Sequence, residues 1–115
     1  MIARAYSFQG SKDYKRVKKE GRLYQSKNFG VGILNREDCG YPRFGFIISN
    51  KISKLSTQRN RIKRAFSEAL RHNLNKIKKG YDVLFLARPT LERMSTDEIM
   101  REVELFIRNS EIYQE

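Results

Sequence analysis

Hydrophobic positions recur with a readable period in six stretches of the chain. Residues 12–20, KDYKRVKKE, set Tyr14 and Val17 three apart on one helical face, ringed by Lys12, Lys15, Arg16, Lys18 and Lys19. Ser11 stands where a cap belongs and Gly21 where a helix stops. Residues 29–34 alternate, so Phe29, Val31 and Ile33 share one face of a strand while Gly30 and Gly32 share the other. NREDCGYP, rich in turn formers, then reverses the chain into a second strand over 43–49, expected to pair antiparallel with the first. Further on, Leu55, Ile62, Phe66, Ala69, Leu70, Leu74 and Ile77 form the apolar stripe of a helix that runs to about Lys79 and ends at Gly80. On its opposite side Arg64, Arg71 and Lys78 project, with Asn60 and Ser67 between them and Arg61 and Lys63 alongside. Residues 81–87, YDVLFLA, are nearly all apolar, the mark of a strand buried on both faces at the centre of a sheet. Ser95 and Glu98 make a capping box, and Ile99, Val103, Phe106 and Ile107 give a last helix its buried stripe.

Helix, strand, strand, helix, strand, helix is the order of an α+β sandwich, one small sheet covered by helices, formed by residues 11–115 as a single domain. Residues 1–10 have no period and read as a flexible arm, although Tyr6 and Phe8 favour a surface to lie on. If the third strand lies parallel to the second, the long helix is a crossover, and a right-handed connection is the general expectation.

Two features of the strands leave a choice open. Glycines at 30 and 32 imply either the close approach of another backbone or a groove kept free for a ligand. Phe44 and Phe46, two apart on the next strand, are either core or a stacking platform for bases.

Charge sharpens the picture at the long helix. The chain carries a formal net charge of +11 and has a pI near 10.0, and from Lys51 to Lys79 ten Lys or Arg face a single acid, Glu68. Pairing of acid with base along a helix, which ordinarily neutralises such a surface, is therefore nearly absent. Seven of the thirteen acids lie from Glu92 onward, so the positive surface belongs to the middle of the chain. A one-sided cationic ridge suits a polyanion, nucleic acid before an anionic membrane. The apolar side of that helix is needed to cover the sheet, which disfavours membrane binding through it. Ser, Thr, Asn and Lys of SNKISKLSTQ, next to the helix start, add donors suited to phosphate.

Chemistry by the protein itself is not indicated. His72 is the only histidine and Cys39 the only cysteine, neither has a partner at workable spacing, and no phosphate-binding glycine loop appears. A lone cysteine, no apolar run long enough for a membrane span and no secretory signal agree with a soluble cytoplasmic protein.

At RNRIKRAF, residues 59–66, the chain resembles the protein component of bacterial ribonuclease P. KDYKRVKKEG at 12–21, SKNF at 26–29, FGFIISNKISK at 44–54 and the run ending Ala87, Arg88, Pro89 extend the resemblance in order over roughly residues 11–113. It implies the ribonuclease P protein-like fold, with a left-handed βαβ crossover in place of the usual hand. It also implies a subunit of a ribonucleoprotein that removes the 5′ leader of precursor tRNA, in which a large RNA subunit supplies the active site and holds Mg²⁺. Its partners are then ribonuclease P RNA and precursor tRNA, with no obligate protein partner. By position, Lys51, Lys54, Arg59, Asn60, Arg61, Lys63, Arg64 and Arg71 are the expected RNA contacts, and Phe8, Tyr14, Phe44 and Phe46 the expected leader contacts. Lys18, Gly32 and Ser67 depart from the family pattern, where an aromatic, a larger side chain and a basic residue are common. A structural RNA-binding protein of ribosomal type shares the charge and size, but would show no dependence on a tRNA leader.

Overall fold

The computed structural model describes residues 3–49 and 51–114. Three helices and four strands form an α+β sandwich: α1 (Ser11–Glu20), β1 (Arg22–Gln25), β2 (Phe29–Asn35), β3 (Arg43–Ile47), α2 (Ser56–His72), β4 (Tyr81–Ala87) and α3 (Thr96–Arg108). Strand order is β1-β2-β4-β3, with β3 parallel to β4 and the other pairs antiparallel. β4 takes the centre, as its continuous apolar run requires, and α2 makes the crossover from β3 to β4.

That central position overturns the expected β2–β3 hairpin. β4 lies between the two strands, so the loop over 36–42 has to pass the start of β4 to reach β3. Gly80, at φ 84, makes the passage possible: its N–H donates to Gly40 O at 2.8 Å, its carbonyl accepts from Arg36 N at 2.8 Å, and a Cβ there would stand 2.3 Å from Asp38 O. β1 carries no clear apolar alternation and is exposed at three of its four positions, which is why no strand is predicted there.

α2 and α3 cover one sheet face. Phe29, Val31, Ile33, Phe44, Val83 and Phe85 meet Ile62, Phe66, Leu70, Ile99, Val103 and Ile107 in one buried cluster. α2 ends at His72, not near Lys79, and a single 3-10 turn at Leu74–Lys76 follows. Gly80 thus serves the strand crossing and not the helix stop, and Leu55, expected in the stripe, is exposed just outside the helix. A strap over 110–114 holds the 74–79 segment, with Lys78 N donating to Ile112 O and Gln114 N to Lys76 O, both at 2.8 Å.

α1 covers part of the other face. A Cβ on Gly32 would come within 3.0 Å of Val17 Cγ1, and one on Gly21 within 2.6 Å of Val17 O, so the helix and its exit both depend on missing side chains. Close approach is the reason for the glycine at 32. Gly10, at φ 124, precedes α1 in place of a side-chain cap; Ser11 is the first helical residue, and the Asp13 carboxylate accepts from Gln9 N at 2.7 Å.

A buried ion cluster closes the same end of the sheet. Asp82, fully buried, accepts from Arg36 Nη1 at 2.5 Å and from Arg43 Nε and Nη2 at 3.0 Å, and Arg43 also reaches Asp13 of α1 at 3.4 Å. Without its partners such a carboxylate would not stay buried. Asp82→Asn is expected to destabilise the fold by about 3–5 kcal/mol, because Arg36 and Arg43 lose their one fully buried counter-charge and keep only the more exposed Asp38 and Asp13; urea unfolding measures it. Nearby Asp38 is held at about 2, below its ordinary 3.8, by hydrogen bonds from Arg36 and from Gly40 N. A lowered folded value contributes stability present above the unfolded one and lost as pH falls through about 2. Thermal unfolding of Asp38→Asn should therefore show a shallower loss of stability than the parent over that acid range.

Candidate nucleic-acid interface

α2 turns its cations outward because its apolar positions face the sheet. Ile62, Ala65, Phe66, Ala69 and Leu70 are buried, whereas Asn60, Lys63, Arg64 and Arg71 are exposed. Lys51 and Lys54, in the loop before the helix, are exposed as well. Among the described residues no salt bridge neutralises Lys51, Lys54, Arg59, Arg61, Lys63 or Arg64. Their field is thus available to a polyanion.

The two arginines of the Arg-Asn-Arg run nevertheless have work inside the protein. Arg59 Nη1 donates to Ser53 O at 2.8 Å and so fixes the preceding loop. Arg61 donates to Met94 O at 2.8 Å, Glu92 O at 3.1 Å and Gln58 Oε1 at 3.0 Å, tying α2 to the segment that leads into α3. All these acceptors are neutral, so both guanidinium groups keep their charge. Arg71 differs: it pairs with Glu68, the helix's one acid, at 2.7 Å, a bond that holds the Glu68 carboxyl below its ordinary range. Lys78, expected on the same ridge, lies past the end of the helix.

The aromatic candidates separate into two groups. Phe44 is 2% exposed and belongs to the core, so its ring is not open to a nucleotide. Phe46 is half-buried, held nearly parallel to Phe66 and Phe85 at centroid distances of 5.8 and 6.0 Å. Phe8 and Tyr14 meet edge to face at 5.0 Å on the α1 side of β3. Both rest on Gly45, where a Cβ would stand 2.4 Å from Phe8 Cδ2 and 2.9 Å from Tyr14 Cε1. Residues 3–10 are accordingly laid along the free edge of β3, with Ser7 bridged to Phe44 and Phe8 N donating to Phe44 O at 3.1 Å. Residues 1–2 of the expected arm lie outside the described residues. Ser67, placed between the cations by helical spacing, is instead buried beside Lys63 and lines the same cavity as Phe8 and Phe46. A glycine between two phenylalanines was the available signal for Gly45; periodicity alone does not separate Ser67 from its exposed neighbours.

Residues 2–111 match the profile of the family described as Ribonuclease P. The ribonuclease P protein component of Clostridioides difficile is 34% identical over 102 residues, covering 87% of each chain. That of Fusobacterium nucleatum is 36% identical over 89 residues, covering 74% of this chain and 79% of its own. A solved structure of the Staphylococcus aureus RNase P protein superposes with a TM-score of 0.88 over 96% of this chain and all of that one, at 25% identity. The chain belongs to the ribonuclease P protein family.

Within the ribonuclease P protein fold, the departure at Gly32 has a steric cause. A larger side chain there would lift α1, since Val17 and Leu23 already close over the position. Lys18 points to solvent. The bonds of Arg61 predict a split between neighbouring substitutions: Arg61→Ala should lower stability by about 1–3 kcal/mol, the loss of hydrogen bonds from a charged donor to two carbonyls and Gln58, while Arg64→Ala leaves it unchanged. Guanidinium chloride unfolding of the two variants measures the difference.

Proposed function

We propose that this chain is the protein subunit of a ribonuclease P ribonucleoprotein, binding the catalytic RNA and the single-stranded 5′ leader of precursor tRNA while the RNA subunit cuts. The observation that carries this reading is a set of exposed, unneutralised cations on a helix whose other side is core: Lys63 and Arg64, with Asn60 beside them and Lys51 and Lys54 from the preceding loop. Each phosphate contact releases condensed counterions, so affinity from such a surface falls steeply with salt. Arg59 and Arg61 add charge from fixed positions, and Arg71 contributes less while paired with Glu68. Phe8, Tyr14 and Phe46 are the aromatic groups left for single-stranded leader, because unpaired bases are held through their faces.

The α2 surface does not suit Mg²⁺. Magnesium takes oxygen ligands with negative charge nearby, and the α2 ridge presents ammonium and guanidinium groups, while the carboxylates of Asp13 and Asp82 are engaged by Arg43 and Arg36. We place the ion with the RNA subunit and the substrate, a reading that the cationic character of this surface supports. The protein works by positioning and by screening phosphate charge, in the cytoplasm and without an obligate protein partner.

Adding the purified chain to ribonuclease P RNA should lower the Mg²⁺ concentration needed to cleave precursor tRNA; no stimulation would count against the reading. Lys63→Ala with Arg64→Ala should weaken RNA binding by about 1–3 kcal/mol and flatten its dependence on salt, as measured by filter binding across a salt series.

A further inference from the structure

Residues 3–10 are seated on consecutive residues at the start of β3, each of which holds the arm by different means. Phe44 takes the backbone: Ser7 bridges to it, and Phe8 N donates to its carbonyl at 3.1 Å. Gly45 takes the rings, since Phe8 and Tyr14 fill the space that its missing side chain leaves. Arg43 takes the turn into α1. Its guanidinium holds Asp13 at 3.4 Å, and the Asp13 carboxylate accepts from Gln9 N at 2.7 Å.

Asp13 is thus the outer end of a chain of contacts that begins in the core. Asp82, fully buried on β4, binds Arg43 at 3.0 Å, Arg43 binds Asp13, and Asp13 binds the backbone of the arm. In a capping box the acid three places into a helix reaches back to the N-cap N–H. Asp13 holds that place in α1 but reaches one residue further, to Gln9, and Gly10 at the N-cap offers no side chain in return. Gly10 supplies the turn itself. Its φ of 124 is one that L side chains rarely adopt, while nothing lies within 4 Å of where its Cβ would stand, so the glycine is needed for the bend and not for space. Bend and tether together fix where the arm leaves the helix, and with it the place of Phe8.

We infer that Asp13 is a positioning residue for leader recognition: held by Arg43, it tethers the arm through Gln9 N and keeps the Phe8 ring seated against Tyr14 and Gly45. Asp13 touches no RNA in this assignment and acts on the leader only through the arm. The inference rests on the leader-binding reading above and adds to it the residue that sets the arm in place. Charge matters here as well as an acceptor, because Arg43 has Asp82 as a second carboxylate and a neutral amide at 13 would not compete for it.

Hydrogen exchange of the full-length protein reads the tether directly, since the Phe8 amide is bonded to Phe44 O while the amides of β4 report on the whole fold. Asp13→Ala, and separately Gly10→Ala, should speed exchange at Phe8 by about tenfold, the size of one lost hydrogen bond to a charged group, with the β4 amides unchanged. In the assembled complex with ribonuclease P RNA, the same variants should lose about fivefold of the preference for precursor over mature tRNA, at the low end for one stacked base, while the protein binds ribonuclease P RNA as tightly as the parent. A merely structural role would instead move β4 exchange and RNA affinity together with the leader preference. The inference is overturned if exchange at Phe8 is unchanged in Asp13→Ala, if the β4 amides speed up equally in both variants, or if leader preference survives in variants whose Phe8 amide exchanges fast. A parent complex that binds precursor and mature tRNA alike would remove the leader-binding reading and the role of Asp13 in it, and Phe8 exchange would still show whether Asp13 tethers the arm.

Discussion

The direction in which α2 faces governs the rest of the molecule. Phe66, with no exposed surface, meets the rings of Phe29, Phe46 and Phe85 at centroid distances of 5.8, 5.8 and 5.3 Å, and Ile62 and Leu70 are buried one turn to either side. Burying side chains of this size is worth about 1.5–3 kcal/mol each, against about 0–1 kcal/mol for an exposed ion pair. Apolar packing therefore sets the rotation of the helix about its axis, and the cations follow. Lys63 and Arg64 are held outward by the core beneath them and need no partner of their own to be aimed.

The second constraint is the central strand. YDVLFLA is apolar enough to be buried on both faces, and once it occupies the middle of the sheet β2 and β3 cannot be neighbours. Gly80, Arg36 and Asp82 are the local consequences: a glycine that lets one loop cross close to another, and a buried ion cluster that ties the crossing to β3 and α1. The centrality of β4 was legible in its composition, as were the capping box at Ser95, the stripe of α3 and the inward face of α2. Pairing was not, because antiparallel neighbours and strands separated by a later insertion have the same alternation. Strand β1 was illegible for a related reason: a short, exposed edge strand carries little hydrophobic signal.

At the interface, residue type was easier to read than residue role. Helical spacing puts Arg61 and Lys63 alike beside the solvent face, yet Arg61 spends its donors on carbonyls at 92 and 94, which lie far off in sequence. Ser67 looked like one more polar position on the ridge, and the way α2 settles against β3 turned it into the floor of a cavity. Phe44 and Phe46, equivalent in a period-two pattern, part company in exposure: Phe44 is enclosed by the core while Phe46 is only half-buried. In each case tertiary contacts with distant segments decide between readings that local pattern leaves level.

The central claim is that RNA lies on the outward face of the amino-terminal half of α2. Lysine acetylation footprinting of the protein bound to ribonuclease P RNA tests it most directly, with exposed Lys27, beside the acidic α3, as the internal reference. Protection of Lys63, Lys54 and Lys51 with Lys27 still reactive is the result this account predicts. Lys63 reacting in the complex as fast as in the free protein would contradict it.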